Sequence, residues 1–277
     1  MIILNNIAMK KTISFIIIAL MGITLHAQPS RTITNTAFIR GEYLKYKVYY
    51  DAILTGKVNA GEAELQVKDE NKVIAGRNTL HVVGLGMSNN VFSFFFKVID
   101  RYETYFDEQA MIPWLFVRRV NEGGYKISQD VTFNQFKNYA TTNDNKNNKT
   151  TNKTTPVNVQ DIISAVYYMR TMDFSNAVLG QSFSVPFFLD DSIYTSKIIY
   201  QGKEDITIDY GTFHCLKFKP MVATGSVFKD PYPMTLWVSD DKNHIPILAT
   251  SAVIVGNVKM ELIKCSGLAN DLTSLAQ

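Results

Sequence analysis

The chain is poor in cysteine and tryptophan and carries no strong charge of either sign. Cysteine occurs only twice in 277 residues, which excludes a disulfide-framed scaffold. A structural zinc site is excluded as well, because Cys215, Cys265 and four scattered histidines show no ligand spacing. Cys215 and Cys265 can pair in an oxidising compartment, and two buried thiols are the equal alternative. The formal charge of +3 does not supply the clustered positive face of a nucleic-acid protein. Beyond the N-terminus no run approaches the roughly 18 continuous apolar residues of a spanning helix. A G-x-S-x-G elbow, an EF-hand loop and a fixed-period repeat are all missing, and no cofactor is implied.

The N-terminal residues read as a secretory signal. Lys10 and Lys11 form a positive region, Ile13 to Leu25 is apolar but short, and Ala27 offers a small residue for cleavage. Residues 1–27 are therefore expected to leave, with Met9 a second candidate start. An uncleaved anchor is the alternative. Residues 28–277 are then expected to form one exported domain.

Alternation dominates the rest of the chain. Leu44, Tyr46, Val48 and Tyr50 fall on one face of "GEYLKYKVYYD", and Ala63, Leu65 and Val67 oppose Glu62, Glu64, Gln66 and Lys68 in "GEAELQVK". Period two of this kind marks half-buried antiparallel strands. About a dozen such segments recur to the C-terminus, separated by turn-forming residues. Pro186 has no N–H to donate, so its strand is expected at an edge or a bulge. The segment "NVQDIISAVYYMRTMDF" departs from this pattern, with apolar residues at spacings of three and four. It predicts a helix over Val159 to Met172, capped by Asn158, with Asp161 in its first turn. The polar stretch Thr141 to Thr155 can bury nothing and predicts a mobile loop. The expected fold is mainly β: a strongly curved antiparallel sheet, either half-barrel, barrel-like or sandwich, around one substantial helix.

Candidate chemistry is sparse. His81, His214 and His244 show no nucleophile or base pattern, and adjacent Asp190–Asp191 and Asp240–Asp241 suit hairpin turns better than a glycosidase pair. Asp161 and Arg170 share an apolar helix. They suit either a polar anchor for a ligand head group or an internal ion pair, for example of Arg170 with Glu122 or Asp100. In "VFSFFFKVIDRYETYFD" the strand reading sends Phe92, Phe94 and Phe96 to one side and Phe95 to the other. The alternative is a loop, "GLGMSNNVFSFFF", made mobile by Gly84 and Gly86, whose Met87 and Phe92 to Phe95 rim a cavity or touch lipid. Rings of this number call for a cover, whether core, ligand pocket or lipid.

Taken in order, "GEYLKYKVYY", "FFFKVIDRYETYFD", "EGGYK", "VQDIISAVYYMR", "YGTFHCLKFKP" and "LWVSDDKNHIPI" resemble the bacterial exported proteins grouped as the domain of unknown function DUF3108. The resemblance covers roughly Arg40 to Leu262. It implies a β-rich periplasmic or surface protein of a Gram-negative-type bacterium, with no assigned activity and no catalytic residues to transfer. The leading expectation is a non-enzymatic envelope protein that binds a lipid or other amphipathic ligand, or assists envelope assembly. Phe92, Phe94, Phe95 and Trp114 would line the apolar part of that site, and Tyr167 and Arg170 would orient the polar end. The alternatives are an interaction module docking a glycan or envelope protein through Tyr43, Tyr49, Tyr102 and Tyr105, and a hydrolase of envelope material.

Overall fold

The computed structural model describes residues 31–52, 56–221, 233–252 and 256–276; the expected signal, residues 1–27, lies outside them. Fifteen strands form one antiparallel sheet. They are β1 (Tyr43–Ala52), β2 (Gly56–Val67), β3 (Lys72–Ile74), β4 (Arg77–Ser88), β5 (Ile99–Asp107), β6 (Pro113–Glu122), β7 (Tyr125–Asn134), β8 (Tyr139–Asp144), β9 (Lys149–Thr154), β10 (Ser182–Leu189), β11 (Ser192–Ile208), β12 (Gly211–Pro220), β13 (Met234–Ser239), β14 (Pro246–Ala252) and β15 (Asn257–Ser266). The sheet order is β10-β11-β12-β13-β14-β15-β1-β2-β4-β5-β6-β7-β8-β9, with β3 paired to β4 beside this path. A single continuous sheet removes the sandwich alternative, which needs two.

The ladder does not close, yet its two ends meet. Phe188 on edge strand β10 packs edge-to-face on Phe133 of β7 at 5.9 Å. The β10–β11 turn uses Asp190 and Asp191, both with positive φ, which a tight two-residue hairpin requires. Asp190 reaches Arg118 of β6 at 2.5 Å, and Asp191 accepts from Thr151 Oγ1 of β9 at 2.7 Å. Pro186 sits on the edge, as its missing donor demands. Its carbonyl faces away from β11 and accepts from Gln160 N at 2.9 Å, while Phe188 N donates to Gln160 O at 2.8 Å. The absent N–H would have pointed the same way, so the β10–β11 ladder loses nothing.

Three segments depart from the sequence reading. The stretch 141–155 is not a loop: it forms the β8–β9 hairpin. Threonines suit a pleated, solvated strand, and Thr141 Oγ1 donates to Asn152 Oδ1 at 2.6 Å across the pair. The turn is held by Asp144 Oδ1, which accepts from Lys146 N and Asn147 N at 3.0 and 3.1 Å.

The phenylalanine stretch is not a strand either. Asn90–Ser93 form a single helical turn, α1. Asn89 Oδ1 accepts from Phe92 N at 2.8 Å, and Ser88 Oγ accepts from Val98 N at 2.8 Å, so polar caps override the rings' strand preference.

The long helix, α2, runs over Ile162–Arg170, nine residues, rather than over Val159 to Met172. Asp161, not Asn158, is its N-cap. Asp161 Oδ1 accepts from Ile163 N and Ser164 N at 2.8 Å each, and Ser164 Oγ accepts from Asp161 N at 2.9 Å. Residues before the cap are spent on the bridge to β10. At the far end Thr171 Oγ1 donates to Tyr168 O at 2.7 Å.

Interior packing falls into separate groups, and one face of α2 belongs to the first. Ile163 and Tyr167 join Phe38, Phe106, Phe116, Val131 and Phe133 in one core group. Phe38, from the segment before β1, meets the Tyr167 ring edge-to-face at 4.7 Å. Leu44, Tyr46, Phe213, Cys215, Ile247 and Leu262 form a second group under β1, β12, β14 and β15. Alternation in β1 slips at a register shift beside Val48 and Tyr49, so that Tyr49 is buried and Tyr50 only half so.

Candidate functional site

The other face of α2 is not packed. Ile162, Ala165, Val166 and Met169 border a cavity of about 600 Å³, whose opposite wall comes from β1, β2 and β10 to β15. That wall includes Leu65, Met234, Leu236, Ala249, Val258 and Met260. Alternation along the strands puts these side chains inside, and the capped helix holds the facing row. Met169, Met221, Met234 and Met260 all take part. Unbranched thioether chains adapt to irregular apolar shapes. Volume and lining are those of a small-molecule site. A narrower pocket of about 60 Å³ adjoins it, sharing Val166, Met169, Ile198, Leu236 and Pro246.

Polar groups on the wall are few. Ser196, Thr250 and Ser251 supply hydroxyls. Tyr46 also lines the cavity, and its buried hydroxyl has no hydrogen-bond partner. Burial raises its pKa well above the ordinary phenol value, so it stays a neutral donor.

The residues expected to form one ligand site are not brought together. Trp114 is fully buried, tilted on Phe136 at 5.2 Å. Tyr167 is inside the core with its hydroxyl donating to Glu42 Oε1 at 3.3 Å. Arg170 is held by Glu42 at 2.6 Å and also donates to Asn243 O; its partner is Glu42, not Glu122 or Asp100. Phe92, in α1, is half-buried, while Phe94 and Phe95 stand in solvent without the expected cover. Residues of the cavity wall were missed because they lie far apart in sequence. Their only local signal was methionine on the inward face of strands and helix.

Other candidate chemistry is absorbed by structure. His81 lies between Glu70 and Glu103 and stacks on Tyr105 at 4.0 Å. His214 meets Asp205 at 2.7 Å, and His244 Nδ1 donates to Arg170 O at 2.8 Å. The three do not converge. Asp241 accepts from Ser239 Oγ, Asn243 N and Ser274 Oγ, which fixes the β13–β14 turn and the C-terminal segment. Tyr49 lies under Lys57 at 4.0 Å and Tyr105 under Lys72 at 4.5 Å, so neither is an open platform. Cys215 and Cys265 are free thiols. Among the described residues no group of His, Cys, Asp and Glu is arranged to hold a metal ion, and no helix is long and apolar enough to cross a membrane.

A meandering antiparallel sheet curled almost onto itself beside an apolar cavity defines a barrel-like fold. Residues 45–263 match the family described as protein of unknown function (DUF3108), and the chain belongs to it. Among solved structures, the beta-barrel-like protein of domain of unknown function DUF1849 from Brucella abortus is similar at a TM-score of 0.55 and 11% identity, over 83% of this chain and 98% of that one. A candidate lipoprotein from Parabacteroides distasonis aligns at TM-score 0.34 and 12% identity, covering 86% of this chain and 100% of its own. A candidate exported protein with a YmcC-like fold from Bacteroides fragilis aligns at 0.33 and 9%, covering 85% and 99%. Among curated proteins none matches.

Proposed function

We propose that the protein is an exported, non-enzymatic envelope protein that holds an apolar or amphipathic ligand inside the curved sheet, against α2. The observation that carries this reading is the cavity of about 600 Å³ with its almost wholly apolar wall. An acyl chain or comparable group loses about 25 cal/mol of hydration penalty per Å² buried there. The hydroxyls of Ser196, Thr250 and Ser251 on the wall give a polar end something to bond, the part first expected of Tyr167 and Arg170. Export rests on the lysine-plus-apolar N-terminal pattern.

Native mass spectrometry of protein purified from the envelope of expressing cells tests the reading. The expected result is a bound lipid mass, released on denaturation. It should be lost in Ala249→Phe, which fills the cavity from β14. Empty protein that also fails to bind a fluorescent fatty-acid probe would overturn it.

A further inference from the structure

The loop between β4 and β5 carries the most exposed rings of the described chain. Phe94 is 86% and Phe95 79% exposed, packed edge-to-face on one another at 5.3 Å. The loop beneath them is built. Asn89 caps α1, Ser88 Oγ bonds Ser93 Oγ at 2.6 Å, and Gly123 N of the neighbouring β6–β7 turn donates to Lys97 O at 2.8 Å. Phe96 lies flat against Gly123, where an added Cβ would come within 2.5 Å of the ring. The anchoring side chains turn inward and hold Phe94 and Phe95 outward. Tyr125, on the adjoining turn, is 64% exposed and widens the patch.

Charge at this tip is mixed: Glu122, at the end of β6, is half-buried beside Asp100, and two lysines stand outside it. Lys97 and Lys126 are exposed, and among the described residues neither forms a salt bridge. Below the rings an apolar groove of about 290 Å³ is lined by Tyr50, Met87, Phe92, Phe96 and Val258. Val258 also lines the large cavity, so apolar surface runs from the tip to the interior.

We propose that the Phe94–Phe95 tip docks the protein on an anionic lipid bilayer. The rings enter the acyl boundary, and Lys97 and Lys126 face the headgroup phosphates. Two phenylalanines with their neighbours offer a few hundred Å², well short of the roughly 800 Å² per partner of a stable protein interface. A bilayer needs no complementary pocket, and its phosphates match the unpaired lysines. Docking stands on the tip alone and does not require an occupied cavity.

Vesicle flotation tests it, with protein from expression of the full chain and vesicles of phosphatidylglycerol or of phosphatidylcholine. Wild-type protein should float with the anionic vesicles and less so at high salt. F94S/F95S, which alters only exposed rings, should lower the bound fraction about tenfold or more. K97Q/K126Q should lose the preference for anionic over neutral vesicles. Ala249→Phe should float like wild type, which separates failure of docking from failure of the ligand reading. A tryptophan at position 95 (F95W) should shift its emission to the blue on vesicle addition. The proposal is overturned if wild-type protein does not float or if F94S/F95S floats equally well. It is also overturned if the double substitution abolishes a dimer in protein that ignores vesicles.

Discussion

Arg170, the last residue of α2, closes a two-pronged ion pair on Glu42, 128 positions earlier: Nη1 to Oε1 at 2.6 Å and Nη2 to Oε2 at 2.7 Å. The same guanidinium donates to Asn243 O, so one side chain ties the approach to β1, the helix and the β13–β14 turn. Both partners are buried, and desolvation is repaid only while both charges are present. Arg170→Met or Glu42→Gln should therefore cost about 3–5 kcal/mol in urea unfolding. The double variant E42L/R170L should recover most of that loss. A double variant as unstable as the sum of the singles would contradict this account.

Asp161 makes stability depend on pH in an unusual direction. Its carboxyl is wholly buried and accepts from Thr104 Oγ1 of β5 at 2.5 Å. Burial raises its pKa from 3.8 to about 6, outweighing the hydrogen bonds that favour the anion. The folded protein thus holds this proton more tightly than the unfolded chain. The resulting stability is full below the unfolded value and is lost as pH rises through about 6. Its size is about 3 kcal/mol at most. Asp161→Asn keeps the cap and cannot titrate, so its unfolding free energy should fall less than that of wild type between mildly acidic and neutral pH. Glu103 and Asp107, whose pKa values are lowered, act in the opposite sense as pH falls through their folded values. Their contribution cancels in the comparison.

Thiol chemistry separates the two readings of the cysteines. Burial pushes the Cys215 thiol up to about 12 and raises Cys265 as well. Little thiolate exists at pH 8, so Ellman's reagent should react at Cys215 about a thousandfold more slowly than with an open thiol. In denaturant both should titrate at once. A denatured, unreduced protein that titrates no thiol would show a bond between them.

Gly123 is predicted to tolerate no side chain. Its φ is +55° and its Cβ direction points into the Phe96 ring. Gly123→Ala should cost about 1–3 kcal/mol. It should also speed amide exchange at Lys97 and Val98, while Gly124→Ala, which is strained by its φ of +94° but has open space at its Cβ, should leave that exchange unchanged. Equal exchange in the two variants would mean that Phe96 does not fix the loop.

Much of the sheet was legible because burial on one face writes a period of two into the chain. β1 follows that pattern up to its register shift, and Pro186 marks the sheet's edge. Where polar chemistry decides, the pattern fails. Asn89 and Ser88 turn a ring-rich stretch into a capped turn, and threonine ladders make a hairpin of β8 and β9 with little more than Tyr139 and Ala140 to announce it. Ile193 to Tyr200 and Ile206 to Asp209 carry strand-type patterns separated by polar residues, yet a bulge near Gly202 lets them continue as one strand, β11. Site residues were least legible. The wall of the cavity is assembled from eight strands and one helix face, and no local spacing can encode so dispersed a set. Arg170 was readable as a buried charge, but its partner Glu42 sits just ahead of β1, where nothing marks it.

The two rims of the open sheet also govern how the molecule behaves in company. At β10 the rim carries Pro186 and is already taken by Gln160; at β9 it displays Lys149, Asn152 and Lys153. Neither offers a second chain a clean row of donors and acceptors. A curled sheet can thus remain unsealed and crowd with its own kind, yet not be drawn into fibrils by its edges.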